Sequence, residues 1–164
     1  MELYPFQKED GADFLRWVKD EAEFDLLSGG TLGKLPKTGE EVYRLFEGRK
    51  ATELRLTAQK EGVPVGQLSL RRMDDGSYRV CYVILDQNRR KEGLGQEMMQ
   101  AALAYCQKEL HCTTVSLVVF QKNAAAFHCY QKVGFQVVEG KESVFPVMGK
   151  EEVCYEMVWS KSME

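Results

Sequence analysis

The chain has 164 residues with 44% hydrophobic and 29% charged residues, enough for one globular domain that buries roughly 70% of its unfolded surface. No apolar run nears the roughly 20 residues that a membrane span needs, so a membrane protein is excluded. A net charge of -3 with no basic stripe argues against a nucleic-acid partner and for a small molecule or peptide.

In chain order, Leu3-Tyr4-Pro5-Phe6 reads as a short first strand, followed by a helical pattern carrying Phe14, Leu15, Trp17 and Val18. Ser28-Gly29-Gly30-Thr31-Leu32-Gly33 reads as a loop, and Thr38 with Glu41 three positions on is a capping box that opens a second helix over Val42, Leu45 and Phe46. Residues 52–58 and 63–70 alternate on either side of Glu61-Gly62, which predicts a hairpin, and Asp75-Gly76 supplies the next turn. A strand over 77–85 follows. From Leu94 to Leu110, the residues Met98, Met99, Ala102, Leu103 and Cys106 share one helical face, as in a helix packed on a sheet. Thr113 to Phe120 is apolar and β-branched, which predicts a central strand covered on both faces. A short helix from Ala124 to Lys132, capped by Asn123 and closed by Gly134, precedes two last strands at 135–138 and 153–159, joined by a connection with Pro146 and Gly149. The whole of 1–164 reads as a single domain.

Five dispersed cysteines (Cys81, Cys106, Cys112, Cys129, Cys154) without a C-x-x-C pair suggest reduced thiols. His111 and His128 have no ligand-spaced partners, so no metal is expected. The segment Met1–Asp10 lacks the basic start and apolar stretch of a signal peptide, and a cytoplasmic location is expected.

Arg90-Lys91-Glu92-Gly93-Leu94-Gly95 lies between the apolar run Val80–Leu85 and the amphipathic helix. A strand ending in a loop with glycines two apart, then feeding a helix, points backbone N–H groups at one spot, where the positive end of the helix dipole also falls. Such a spot suits an anionic group. Read alone, it is equally an ordinary strand-to-helix turn.

The element order and two motifs resemble the GCN5-related N-acetyltransferase (GNAT) superfamily, whose members move an acetyl group from acetyl-coenzyme A (acetyl-CoA) to an amine. Arg90-Lys91-Glu92-Gly93-Leu94-Gly95 matches its first motif; Asn123, Ala126, Tyr130 and Gly134-Phe135 match its second. The resemblance implies an α/β (α+β) fold: a mixed, mostly antiparallel twisted sheet of about 6–7 strands, flanked by about 4 helices and splayed at the acetyl-CoA site. It further implies that acetyl-CoA is the co-substrate. The backbone N–H groups of Lys91, Glu92, Gly93, Leu94, Gly95 and Gln96 would hold the pyrophosphate, with Arg90 helping to shape or charge the loop. A bulged strand at Val83, Ile84 and Leu85 would pair with the pantetheine arm, with the Val83 N–H facing the thioester oxygen. Asn123 reads both as helix cap and as pantetheine ligand. Tyr130 would protonate the departing thiolate, or else is a packed tyrosine at the sheet edge.

The residue that removes the acceptor's proton is not legible. Members that acetylate N-terminal alanine often carry a glutamate five residues before the asparagine, where this chain has Val118, and the strand 77–85 has no carboxylate. Glu53, Glu23 and Asp25 are candidates, alongside a water chain. The acceptor is a primary amine of a small molecule or peptide, and a homodimer through the last strands stays open. A catalytically idle acyl-CoA-binding domain, serving as sensor or scaffold, is the alternative reading.

Overall fold

The computed structural model describes residues 1–89 and 92–163. The elements are β1 (Glu2–Pro5), α1 (Asp10–Trp17), α2 (Glu21–Ser28), α3 (Gly39–Glu47), β2 (Glu53–Lys60), β3 (Val63–Arg72), β4 (Tyr78–Leu85), α4 (Leu94–Glu109), β5 (Thr114–Phe120), α5 (Ala124–Val133), β6 (Gln136–Val137), β7 (Ser143–Val147) and β8 (Lys150–Ser160). They form one eight-stranded mixed sheet in the order β1-β2-β3-β4-β5-β8-β6, with β7 paired to β8. Every pairing is antiparallel except β4 with β5. No helix among the described residues is long and apolar enough to cross a membrane.

Apolar alternation places one core on each face of the sheet. On the α4/α5 face, Leu56, Leu68, Leu70, Val80, Leu117 and Met157 pack against Met98, Met99, Ala102 and Cys106. On the other, Phe6, just past β1, and Phe14, Trp17, Phe24, Val42 and Phe46 from the N-terminal helices surround Tyr82 and Ile84. Phe6, Phe14, Trp17, Phe24 and Phe46 are therefore core. Beneath them the same face of β2 and β3 is polar, with Glu53, Arg55, Thr57, Gln67 and Ser69 all buried.

Several expectations need correction. Three helices, not two, precede the main sheet: α2 is capped by Asp20, whose side chain accepts from the Glu23 N–H, and closed by Gly29 at φ 61°. The apolar residues Ala22, Phe24, Leu26 and Leu27 do not fall into one helical stripe, unlike Phe14, Trp17 and Val18 in and just past α1, so no helical period shows. The connection with Pro146 is itself strand β7, turned into β8 by Met148-Gly149, both at positive φ; Pro146 is accommodated at a sheet edge, where its missing N–H is not needed. Strand β5 is not covered on both faces throughout, because Val118 is 38% exposed. The capping box of α3 forms in a variant way: Thr38 accepts from the Glu41 N–H, while the Glu41 carboxylate accepts from the Lys37 N–H.

Candidate active site

The sheet opens in its middle. β4 and β5 pair only through Tyr78, Arg79 and Val80 against Val115, Ser116 and Leu117, and past that point the ladder stops. On its other side β4 stays paired to β3, with a one-residue register shift: Ser69 opposes Cys81, but Gln67 opposes Ile84. The extra residue is a bulge, and Tyr82 takes φ 52° to make it. That left-handed conformation costs a non-glycine residue about 1–2 kcal/mol. The bulge also exchanges the faces of β4. Cys81 and Tyr82 both lie toward the N-terminal helices with Ile84, whereas Val83 and Leu85 pack on the α4/α5 core. Simple alternation, which would put Cys81 on the same face as Val83, fails here.

The ladder also fixes where the backbone of β4 points. Asp86 donates to the Val65 carbonyl at 2.8 Å, and bonded and non-bonded pairs alternate along antiparallel strands. Ile84 therefore turns its N–H and C=O toward Gln67, while the Val83 C=O and both backbone groups of Leu85 turn toward β5, where no strand among the described residues receives them.

At the upper end of the cleft, α4 begins at Gly93, which sits at φ 72° with no side-chain cap. Glu97 is bonded to the Gly93 carbonyl at 3.1 Å, so the N–H groups of Leu94, Gly95 and Gln96 have no partner within the helix. A Cβ on Gly95 would lie 3.2 Å from Leu85 and 3.5 Å from the Cys129 sulfur, which draws α4, α5 and the end of β4 together. Glu92 is exposed and paired to Arg89 at 3.1 Å; Lys60 meets Glu97 at 2.6 Å. Arg90 and Lys91 lie outside the described residues.

Asn123 caps α5, its side-chain oxygen accepting from the Ala126 N–H at 3.3 Å. Tyr130 belongs to the α4/α5 core with Leu94, Val83 and Leu85, its ring edge-on to Phe135 at 6.2 Å. Its hydroxyl has no hydrogen-bond partner among the described residues. Burial, helped by the neighbouring Cys129, pushes its pKa above the ordinary phenol value. The structure thus brings Val83, Leu85, Leu94, Gly95 and Tyr130 to one cluster, leaves Asn123 at its exposed rim, and places the Ile84 side chain on the opposite face.

The carboxylates of the other face are already engaged. Glu53 is buried and gripped by Arg49 at 2.9 Å and Arg71 at 3.0 Å. Both arginines also donate to the Tyr82 hydroxyl, at 3.1 and 2.7 Å, which leaves that hydroxyl's own proton for Thr31 at 3.3 Å. Glu23 accepts from Gln87 at 2.8 Å, and Asp25 from the Met148 N–H at 3.4 Å. Sequence reasoning missed Glu156, which lies opposite Val118 in the β5–β8 ladder and binds Arg79 at 2.6 Å. Only the strand register reveals it. Burial pushes the Cys81 thiol up despite the guanidinium groups of Arg71 and Arg79. A separate concavity of about 280 Å³ lies at the far ends of β4 and α4, where Phe46, Lys50, Arg72, Tyr78 and Leu110 are among its lining.

The model of the Acetyltransferase (GNAT) family matches residues 9–135. The chain belongs to the GNAT family. Its fold is shared with Vibrio cholerae spermidine N-acetyltransferase in complex with CoA and spermine, at 17% identity and TM-score 0.78 over 98% of this chain and 95% of that one. AAC(6')-Ib in complex with ribostamycin and coenzyme A is similar at 15% identity and TM-score 0.76, over 99% and 94% of the two chains. As a GNAT member the chain is an acetyl-CoA-dependent N-acetyltransferase. The uncapped start of α4 beside a strand edge with no partner fits a ligand that carries phosphates at one end and amides along its arm.

Proposed function

We propose that this chain transfers acetyl from acetyl-CoA to a primary amine of a small molecule or peptide by direct attack in a ternary complex. The supporting observation is the bulged edge of β4, where Val83 and Leu85 present backbone groups to a cleft without a strand partner. Those groups pair with the pantetheine amides; the N–H groups of Leu94, Gly95 and Gln96, with Glu92, Gly93 and the adjoining Arg90 and Lys91, take the pyrophosphate; Asn123 borders the arm with its amide N–H₂. The Val83 N–H meets the thioester oxygen, and Tyr130 returns a proton to the sulfur as the carbon–sulfur bond breaks.

The attacking amine must first be neutral, which at pH 7 costs roughly 4 to 5 kcal/mol for a pKa near 10.4. Glu53, Glu23 and Glu156 each already accept from a cation or amide, so water in the open cleft carries that proton away. The test is free-thiol release with a panel of amines, beginning with spermine and ribostamycin, the molecules held by the two solved relatives. Intersecting initial-rate lines are expected; binding of acetyl-CoA with no release for any amine leaves the sensor reading.

A further inference from the structure

Arg55, on β2, is a buried cation with no carboxylate partner among the described residues. Its Nη1 donates to the Tyr82 carbonyl at 2.7 Å and to Ser69 at 3.3 Å, and its Nη2 donates to Gln67 at 3.2 Å. Gln67 is itself held, donating to the Asp10 carbonyl at 2.8 Å. The guanidinium lies 4.1 Å from the Phe46 ring centroid, and its Nε is the one buried side-chain polar atom among the described residues without a partner. Burial pulls its pKa down to about 9, which leaves it charged at neutral pH. Stability alone does not account for such a residue, since well-packed apolar side chains often replace buried ions without loss.

We infer that Arg55 is a positioning residue for the oxyanion donor, holding the Tyr82–Val83 peptide so that the Val83 N–H points into the cleft. This rests on the acetyl-transfer reading above. The described residues contain no cis peptide, and in a trans peptide the C=O and N–H point opposite ways. Arg55 reaches the Tyr82 carbonyl from beneath β2 and β3, so the Val83 N–H is driven to the β5 side, the same direction that ladder parity gives for Leu85. The grip also holds Tyr82 in its left-handed conformation. A charged donor on the carbonyl polarises the peptide and strengthens the N–H at its other end. That gain is largest when the thioester oxygen gathers negative charge, so it acts on turnover more than on binding.

The experiment compares Arg55→Lys and Arg55→Met with wild type in initial-rate kinetics, with CoA titration and melting on the same samples. We expect kcat to fall ten- to a thousandfold, on the order of losing one oxyanion donor, while the dissociation constant for CoA, which has no thioester carbonyl, changes less than about twofold. In difference infrared spectra of carbonyl-¹³C acetyl-CoA, the wild type lowers the bound carbonyl stretch and the variants restore it toward the free value. In wild-type protein, the Arg55 Nη1 proton resonance moves on addition of acetyl-CoA but not of CoA. A folded variant with wild-type kcat, or an unchanged carbonyl stretch, overturns the inference. If neither variant folds, an Nη1 resonance that responds equally to CoA and acetyl-CoA overturns it. The infrared and resonance readouts need no turnover, so a wild type that binds acetyl-CoA without transferring it fails the broader reading and still tests this one.

Discussion

Replacing Tyr130 by Phe removes a single oxygen whose loss the structure allows to be weighed. The hydroxyl has no protein partner among the described residues, so no buried group is left unpaired, and folding stability should move by less than about 0.5 kcal/mol. If that hydroxyl protonates the departing thiolate, the loss appears in the barrier: a ten- to thousandfold drop in rate, or about 1.4 to 4 kcal/mol. Burial and Cys129 raise its pKa, so the proton stays in place through neutral and mildly alkaline pH, and no descending limb of the rate profile should belong to Tyr130 below about pH 10. The linkage has a definite sign. Above the unfolded phenol pKa, the unfolded chain loses this proton while the folded chain keeps it, so stability present below that value is lost as pH rises, and the variant lacks this contribution to the slope. Single-turnover thiol release with saturating amine measures the chemical step without product release. A variant at the wild-type rate refutes the assignment, and so does a rate loss matched by an equal loss of CoA affinity.

Glu53→Gln leaves Arg49 and Arg71 without their shared buried carboxylate and should destabilise the fold by about 3 kcal/mol, read as a lower urea midpoint. Acetyl-CoA at one hundred times its dissociation constant should stabilise wild type by about 2.7 kcal/mol; Gly95→Glu, whose side chain starts between Leu85 and Cys129 at the mouth of the cradle, should abolish that shift in a thermal melt. Burial pushes the thiols of Cys81, Cys106, Cys129 and Cys154 up, so mass spectrometry after incubation with acetyl-CoA and no amine should find no acetyl-cysteine.

Periodic segments told the most in the sequence. The face of α4 carrying Met98, Met99, Ala102 and Cys106, the two hairpins, and the caps Thr38 and Asn123 all stand where their patterns place them. Helix α2 escaped because its apolar residues do not form one helical stripe, and strand β7 because five residues carry little periodicity, although Asp20 with Glu23 and the Met148-Gly149 turn are readable signals. A bulge in β4 is expected only through the family resemblance, which sets it by position at Val83, Ile84 and Leu85, and no glycine marks its left-handed residue, Tyr82. The polar layer of Glu53, Arg55, Gln67 and Arg71 depends on cross-strand register, which alternation within a single strand does not encode. Glu156 opposite Val118 is hidden for the same reason.

Backbone amide exchange of the β4 edge, with and without acetyl-CoA, tests most directly whether the cleft between β4 and β5 takes the ligand. At saturation, the amide of Leu85, which faces the cleft without a strand partner among the described residues, and that of Val83, as Arg55 is inferred to orient it, should slow at least tenfold, an amount worth about 1.4 kcal/mol. Ile84, already paired to Gln67, should change far less. Unchanged exchange at Val83 and Leu85 under saturating acetyl-CoA, or protection appearing instead around Lys50 and Arg72 at the far concavity, would contradict the account.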